Sequence, residues 1–274
     1  MHSKRQKISA LKIRISPTKK KKKKTLAKKK DIRPVPRIEP VKKKVKITRK
    51  RKEKEDDKQN KGFKPLSEWA GLLHGHPAFI LGNAPSINER NLGLLQPYFT
   101  IGINRIFYVY DPTILFWQDR QIWNSHKKQV RRLKAVKVCS HTADQRGLFL
   151  NFKLGYNPLR FTMQPERLFG RGNTGAIAVQ FAVALGCSAI VLLGMDCKYG
   201  PGGKTDFYGR NKDHKSYTLR MCNHSLKWIR GNCPVPVFNC SENELWPQRE
   251  LKNVITSLSP PKKNRNYFID LFKR

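Results

Sequence analysis

Acidic side chains are scarce: 19 aspartates and glutamates stand against 57 lysines and arginines, a formal net charge of +38 over 274 residues. A surplus of this size directs a chain toward polyanions. Aromatic residues are missing altogether from residues 1–62, where lysine runs unbroken through Lys19, Lys20, Lys21, Lys22, Lys23 and Lys24, and RPVPRIEP adds Pro34, Pro36 and Pro40. So little apolar surface cannot offset chain entropy, so residues 1–62 are read as a disordered basic arm. The lysine run and RKRK (Arg49, Lys50, Arg51, Lys52) serve either as a solubilising tail or nuclear address, or as nucleic-acid contacts that release counterions. The second use is preferred because the positive excess continues beyond the arm.

A secretory leader is not expected, since no continuous apolar run follows the basic start; the chain is read as soluble and intracellular, in host cytoplasm or, in a eukaryote, the nucleus. Cysteine is unpatterned: Cys139, Cys187, Cys197, Cys222, Cys233 and Cys240 form no CxxC pair and no Cys/His knuckle. Free thiols and no metal site are the expectation. Long apolar runs are nearly absent too. The exception, AIAVQFAVALGCSAIVLLGM (Ala176 to Met195), has membrane-spanning length. Gln180 and the turn at Gly186 to Ser188 divide it into a helix-like and a β-branched half, so helix, turn and buried strand is the reading, with no membrane partner.

What remains alternates. PAFIL (77–81), FTIGI (99–103), ILFWQ (114–118), AVKVC (135–139), AIVLLG (189–194) and PVFNC (236–240) read as strands. Helices are expected near 88–95, from the Asp119 cap to about Leu133, from GRGNTG through Leu185, and from Asp213 to Arg230, while 140–171 shows no clean period. The fold class is α/β: a Rossmann-like, mostly parallel sheet with helices on both faces. It occupies 63–258 and is followed by a basic tail at 259–274.

Ligands of such sheets sit beyond the strand carboxyl ends, near the point where strand order reverses. FILGNAPS (79–86) ends its strand in Gly82, Asn83, Ala84, Pro85 and Ser86, small residues that let a backbone approach a phosphate. Asn104 and Asp196 close other strands, and NTG (Asn173, Thr174, Gly175) opens a helix. A glycine-rich loop then carries Tyr199, Tyr208 and His214, phenols that can bond a departing phosphate and an imidazole that can accept a proton.

In this order GNAPS, Asn104, NTGAIAVQFAVALGCSAIVLLGMD and the tyrosine and histidine loop resemble the bacterial CMP-sialic-acid-dependent sialyltransferases, the related motility accessory factors and phage proteins of the same superfamily. The resemblance covers about 79–241. It implies that Gly82, Asn83, Ala84, Pro85 and Ser86 form the nucleotide loop, that Asn104 faces sugar or phosphate, and that Asn173, Thr174, Gly175 and Asp196 lie on the nucleotide side. It further implies that His214 is the general base and that Tyr199 and Tyr208 assist the leaving phosphate, with a nucleotide sugar, CMP-linked in that family, as donor and no cofactor. Ala84 stands where that family has glycine, and no stretch matches its sugar-carboxylate contacts, so the donor sugar stays open.

The expectation is a metal-independent glycosyltransferase whose acceptor is a polyanion such as viral DNA with a hydroxylated base. Two alternatives accompany it: a nucleic-acid-binding or packaging protein on the same fold, and a nucleotide transferase resembling pterin pyrophosphokinases, with Mg²⁺ on Asp196.

Overall fold

Among the described residues eight strands, all parallel, form one sheet in the order β6-β5-β4-β3-β2-β1-β7-β8. They are β1 (Ala78–Leu81), β2 (Thr100–Ile103), β3 (Ile114–Trp117), β4 (Val136–Ser140), β5 (Leu150–Gly155), β6 (Arg167–Phe169), β7 (Ile190–Leu193) and β8 (Val237–Asn239). The computed structural model describes residues 62–274 apart from 145, 156–158, 171–172 and 213. The arm at 1–62, with the lysine run and RKRK, therefore lies outside the described residues except for Gly62, and so does Asp213, the expected start of a helix. The helices are α1 (Arg120–Arg132), α2 (Thr174–Ala184), α3 (Ser216–Asn232), α4 (Leu251–Leu258) and α5 (Arg265–Leu271).

Strands buried on both faces read as unbroken apolar runs, and their side chains alternate between two cores. Ile80, Ile114 and Phe116 point into one, with Phe181 of α2 and Leu226 of α3. Phe79, Leu81, Leu115 and Trp117 point into the other, with Trp123 of α1 and Val254 of α4. Every residue of α2 is buried, which is why its sequence is apolar all round. The Ala176–Met195 run is thus helix, a Gly186 turn at φ +83°, and buried strand. No helix among the described residues is long and apolar enough to cross a membrane.

Several expectations are corrected. The unreadable 140–171 stretch holds β5 and β6, which extend the sheet at one edge. Gln180 of α2 exchanges hydrogen bonds with the backbone of Phe169, and so ties that edge to the helix layer. The helix expected at 88–95 is two 3₁₀ turns, Pro85–Glu89 and Leu92–Leu95. Asp119 sits at the N-cap of α1 without a side-chain cap bond. Residues 259–274 are no tail: Phe268 and Phe272 are fully buried, and Phe272 stacks on Trp69 at 4.0 Å. The backbone of Lys64 donates to the carbonyl of Phe272, so the first and last described segments close on each other.

Lys137 on β4 is the one lysine counted among the buried polar residues described, and its ammonium donates to the Leu133 carbonyl at 2.7 Å. Burial pushes this group down to about 8, against the pull of Asp111. A folded value below the free value of about 10.5 means that the unfolded chain binds more protons between those two values. Stability should therefore climb as pH rises from about 8 to about 10.5, with the full penalty standing at pH 7. Lys137→Met is expected to stabilise by about 1–2 kcal/mol at neutral pH, an advantage that disappears above about pH 10. Urea midpoints at the two pH values test it; an equal gain at both would assign the effect to packing.

Candidate active site

The chain lays down β1 to β6 in one direction, then returns through α2 to place β7 on the other side of β1. Strand order reverses at β1 and β7, and a crevice opens beyond their carboxyl ends. Two adjoining cavities occupy it. The inner, of about 90 Å³, is lined by Asn83, Ala84, Asn104, Asn173, Asp196, Cys197, Asp206, His214 and Cys222, among others. The outer, of about 460 Å³, shares Asn83, Asn104, Asp206 and His214 and adds Arg105, Gln118, Asp119, Arg120 and Tyr208.

The GNAPS loop is held differently from an open phosphate cradle. Gly82 N–H donates to the carbonyl of Leu193, Ala84 N–H to that of Gly194, and Ser86 N–H to the Asp196 carboxylate. These amides are engaged by the end of β7. Asn83 is buried; its Nδ2 donates to the Ile103 carbonyl at 3.2 Å and its Oδ1 accepts the Arg105 N–H at 3.1 Å, joining the ends of β1 and β2. The Ser86 hydroxyl, expected at a ribose or phosphate oxygen, donates to Asp196 instead. Asp196 also accepts the Glu242 N–H, so one buried carboxylate knits together the loops after β1, β7 and β8. Pro85 occupies the first turn of its 3₁₀ segment, where a missing N–H costs nothing.

At α2, Asn173 caps the helix: its Oδ1 accepts from Gly175 N–H at 2.9 Å and Ala176 N–H at 3.2 Å, and its Nδ2 donates to the Cys222 carbonyl at 3.0 Å. Thr174 and Gly175 lie behind it and line neither cavity. Cys197 and Cys222 are joined by a disulfide, which corrects the expectation of free thiols throughout and ties the residue after Asp196 to α3. Cys139, Cys187, Cys233 and Cys240 are free.

Asn104 has a left-handed backbone, φ 50°, which asparagine tolerates better than most residues. Its Oδ1 is buried without a hydrogen-bond partner among the described residues, and the residue lines both cavities.

The loop between β7 and α3 folds back onto GNAPS, Phe207 N–H donating to the Asn83 carbonyl at 2.7 Å. That contact delivers the chemistry. Asp206, buried, has its Oδ2 3.1 Å from Nδ1 of His214, and the same oxygen accepts the Thr205 hydroxyl. A carboxylate on Nδ1 fixes the imidazole's orientation and tautomer, the arrangement a general base requires. His214 precedes α3 rather than lying on it, as the expected helix start at Asp213 would have had it. Tyr208 lies under the Arg105 guanidinium at 4.9 Å, and burial, aided by Asp206, pushes its phenol up to about 12. It stays protonated and can donate. Tyr199 is exposed and lines neither cavity, so of the two phenols only Tyr208 is brought to the site.

Sequence reading missed Asp206, Arg105 and the disulfide. The run TDF, one acid between two residues able to be buried, was the only signal for Asp206. Among the described residues no group of three or more His, Cys, Asp or Glu could hold a metal ion.

No protein-family model and no curated protein matches the sequence. Among solved structures the chain is similar to the sialyltransferase CstII from Campylobacter jejuni in complex with cytidine-5'-monophosphate, at 14% identity over 62% of this chain and 82% of that one, TM-score 0.40. It is also similar to the monofunctional alpha-2,3-sialyltransferase Cst-I from Campylobacter jejuni, at 14% identity over 60% and 75% of the respective chains, TM-score 0.37.

Proposed function

We propose that this chain is a glycosyltransferase that takes a sugar from a nucleotide-sugar donor and places it on a polyanionic acceptor, foremost nucleic acid carrying a hydroxylated base. The observation that carries the reading is the Asp206–His214 pair on the wall shared by two cavities at the switch point, with the Tyr208 phenol on the outer one. His214 takes the proton of the acceptor hydroxyl while its oxygen bonds to the anomeric carbon. The bond from that carbon to the phosphate oxygen breaks, the electron pair leaves on phosphate, and Tyr208 donates a hydrogen bond to it. Asn104 Oδ1 accepts from a hydroxyl or amino group of the donor. Nucleic acid is favoured as acceptor by the net charge of +38, to which the arm contributes its lysines and arginines. A target base in duplex DNA has to be flipped out to reach the crevice.

A second reading, a nucleic-acid-binding protein on the same fold, is favoured by one observation: the loop amides expected at a phosphate are engaged by β7 and Asp196. Incubation with a panel of nucleotide sugars and with plain or hydroxymethylated DNA, followed by nucleoside mass spectrometry, decides between them. A nucleoside heavier by one sugar, formed only from the hydroxymethylated DNA, is the expected result. No donor consumed in the presence of tightly bound DNA would establish the binding protein.

A further inference from the structure

At the far edge of the sheet, away from the His214 crevice, β5 and β6 end side by side with Gly155 opposite Phe169. Around these ends lies a third cavity, of about 630 Å³, whose lining includes Lys153, Arg160, Phe161, Met163, Arg167 and Phe169. No aspartate or glutamate is part of that lining. Lys153, Arg160 and Arg167 are all exposed, and among the described residues no carboxylate forms an ion pair with them. The wall between the cations is aromatic. Arg160 lies over the face of Phe169 at 4.3 Å, and Phe161 stacks on Trp228 of α3 at 5.1 Å and 17°. Met163, also in the lining, is 59% exposed.

Unpaired cations around aromatic rings in an open groove match single-stranded nucleic acid, whose phosphates need positive charge and whose bases stack on any flat ring. The cavity also lies at the right end of the sheet. Phe169 is four residues of chain from Asn173 in the crevice, so the two points are at most about 15 Å apart, the stacked length of about four nucleotides on one strand. We propose that this cavity binds the nucleotides flanking the acceptor position of a single-stranded nucleic acid, phosphates on Lys153, Arg160 and Arg167 and a base against Phe161. The proposal rests on the nucleic-acid acceptor of the preceding reading and adds the place where the strand is held.

The test uses the full chain and a short thymidine oligonucleotide substituted with 4-thiothymidine, with no sugar donor present. Irradiation and peptide mass spectrometry should find a crosslink in the peptide holding Phe161 and Met163. In the double variant Arg160→Gln, Arg167→Gln that crosslink should be lost, and the slope of log affinity against log salt should shrink in magnitude by about 1.4, two phosphate contacts on a single strand. Lys153→Gln alone should take away about half of that, and as a single change at an exposed position it guards against a misfolded double variant. Crosslinks confined to residues 1–61, or a slope that neither variant changes, would overturn the proposal. Donor turnover without this crosslink refutes the cavity and leaves the enzyme reading standing. The crosslink in a chain that turns over no donor supports the cavity and refutes the enzyme.

Discussion

Replacing His214 with alanine is expected to lower turnover by about 10² to 10⁴, the usual worth of a positioned general base. Donor binding should scarcely change, because in the proposed mechanism the imidazole acts on the acceptor hydroxyl. Asp206→Asn should reproduce much of the loss with the histidine still in place, since the buried carboxylate is what holds Nδ1 at 3.1 Å and sets the tautomer. The internal control is His224, exposed on α3, eight residues past the start of that helix and so about 12 Å along it, and lining neither cavity. His224→Ala should retain activity. Nucleotide release measured with and without acceptor separates the cases: if His214→Ala and His224→Ala behave alike on a donor and acceptor that the unmodified chain uses, His214 is not the base.

The parts of this molecule that could be read from its sequence are those decided locally. Six strands lay in plain view, five of them because each is a short run buried throughout and the part-buried β8 because PVFNC is a compact apolar run, and α2 announced itself by the Asn173 cap and the Gly186 stop. β5 and β6 escaped because both are only part-buried: LNFKLG mixes exposed and buried positions without a clean alternation, and RLF is too short to carry a period. They exist through tertiary contacts, above all the pairing of Gln180 with Phe169. The last sixteen residues looked like a tail because they hold five lysines and arginines against one aspartate, which concealed the spacing of four that sends Phe268 of α5 and Phe272 at its C-cap into the same core. At the site, Asn83, Asn104, Asp196 and His214 were legible as strand ends and loop residues. Their partners were not. Asp206 meets His214, and Cys197 meets Cys222, where the loop beyond β7 folds back over GNAPS, and no sequence spacing encodes that return.

Gly82→Ala is expected to destabilise the fold by about 3 kcal/mol or more, at the upper end of what overpacking costs, with no ligand present. A Cβ at that position would lie 2.1 Å from the carbonyl oxygen and 2.8 Å from the carbonyl carbon of Gly194. Both are backbone atoms, so no rotamer change relieves the clash. Gly194 itself cannot retreat: its φ is +62°, it follows β7, which is paired on both sides by β1 and β8, and its own missing Cβ is needed for Ile87 and the Gly82 carbonyl, 3.0 and 3.1 Å from where that atom would stand. The two glycines therefore serve each other, letting the ends of β1 and β7 close so that Ser86 and Asp196 can meet. Gly231 gives the opposite sign in the same chain. It lies in α3 with nothing within 4 Å of an added Cβ, so Gly231→Ala should stabilise by about 0.5 kcal/mol through the ordinary cost of glycine in a helix. Denaturant midpoints of both variants, beside a nucleotide titration of each, separate the roles of the loop. A Gly82→Ala protein of unchanged stability that fails only to bind nucleotide would return this glycine to the phosphate. Loss of stability in the absence of any nucleotide assigns it to the joint between the strands that frame the crevice.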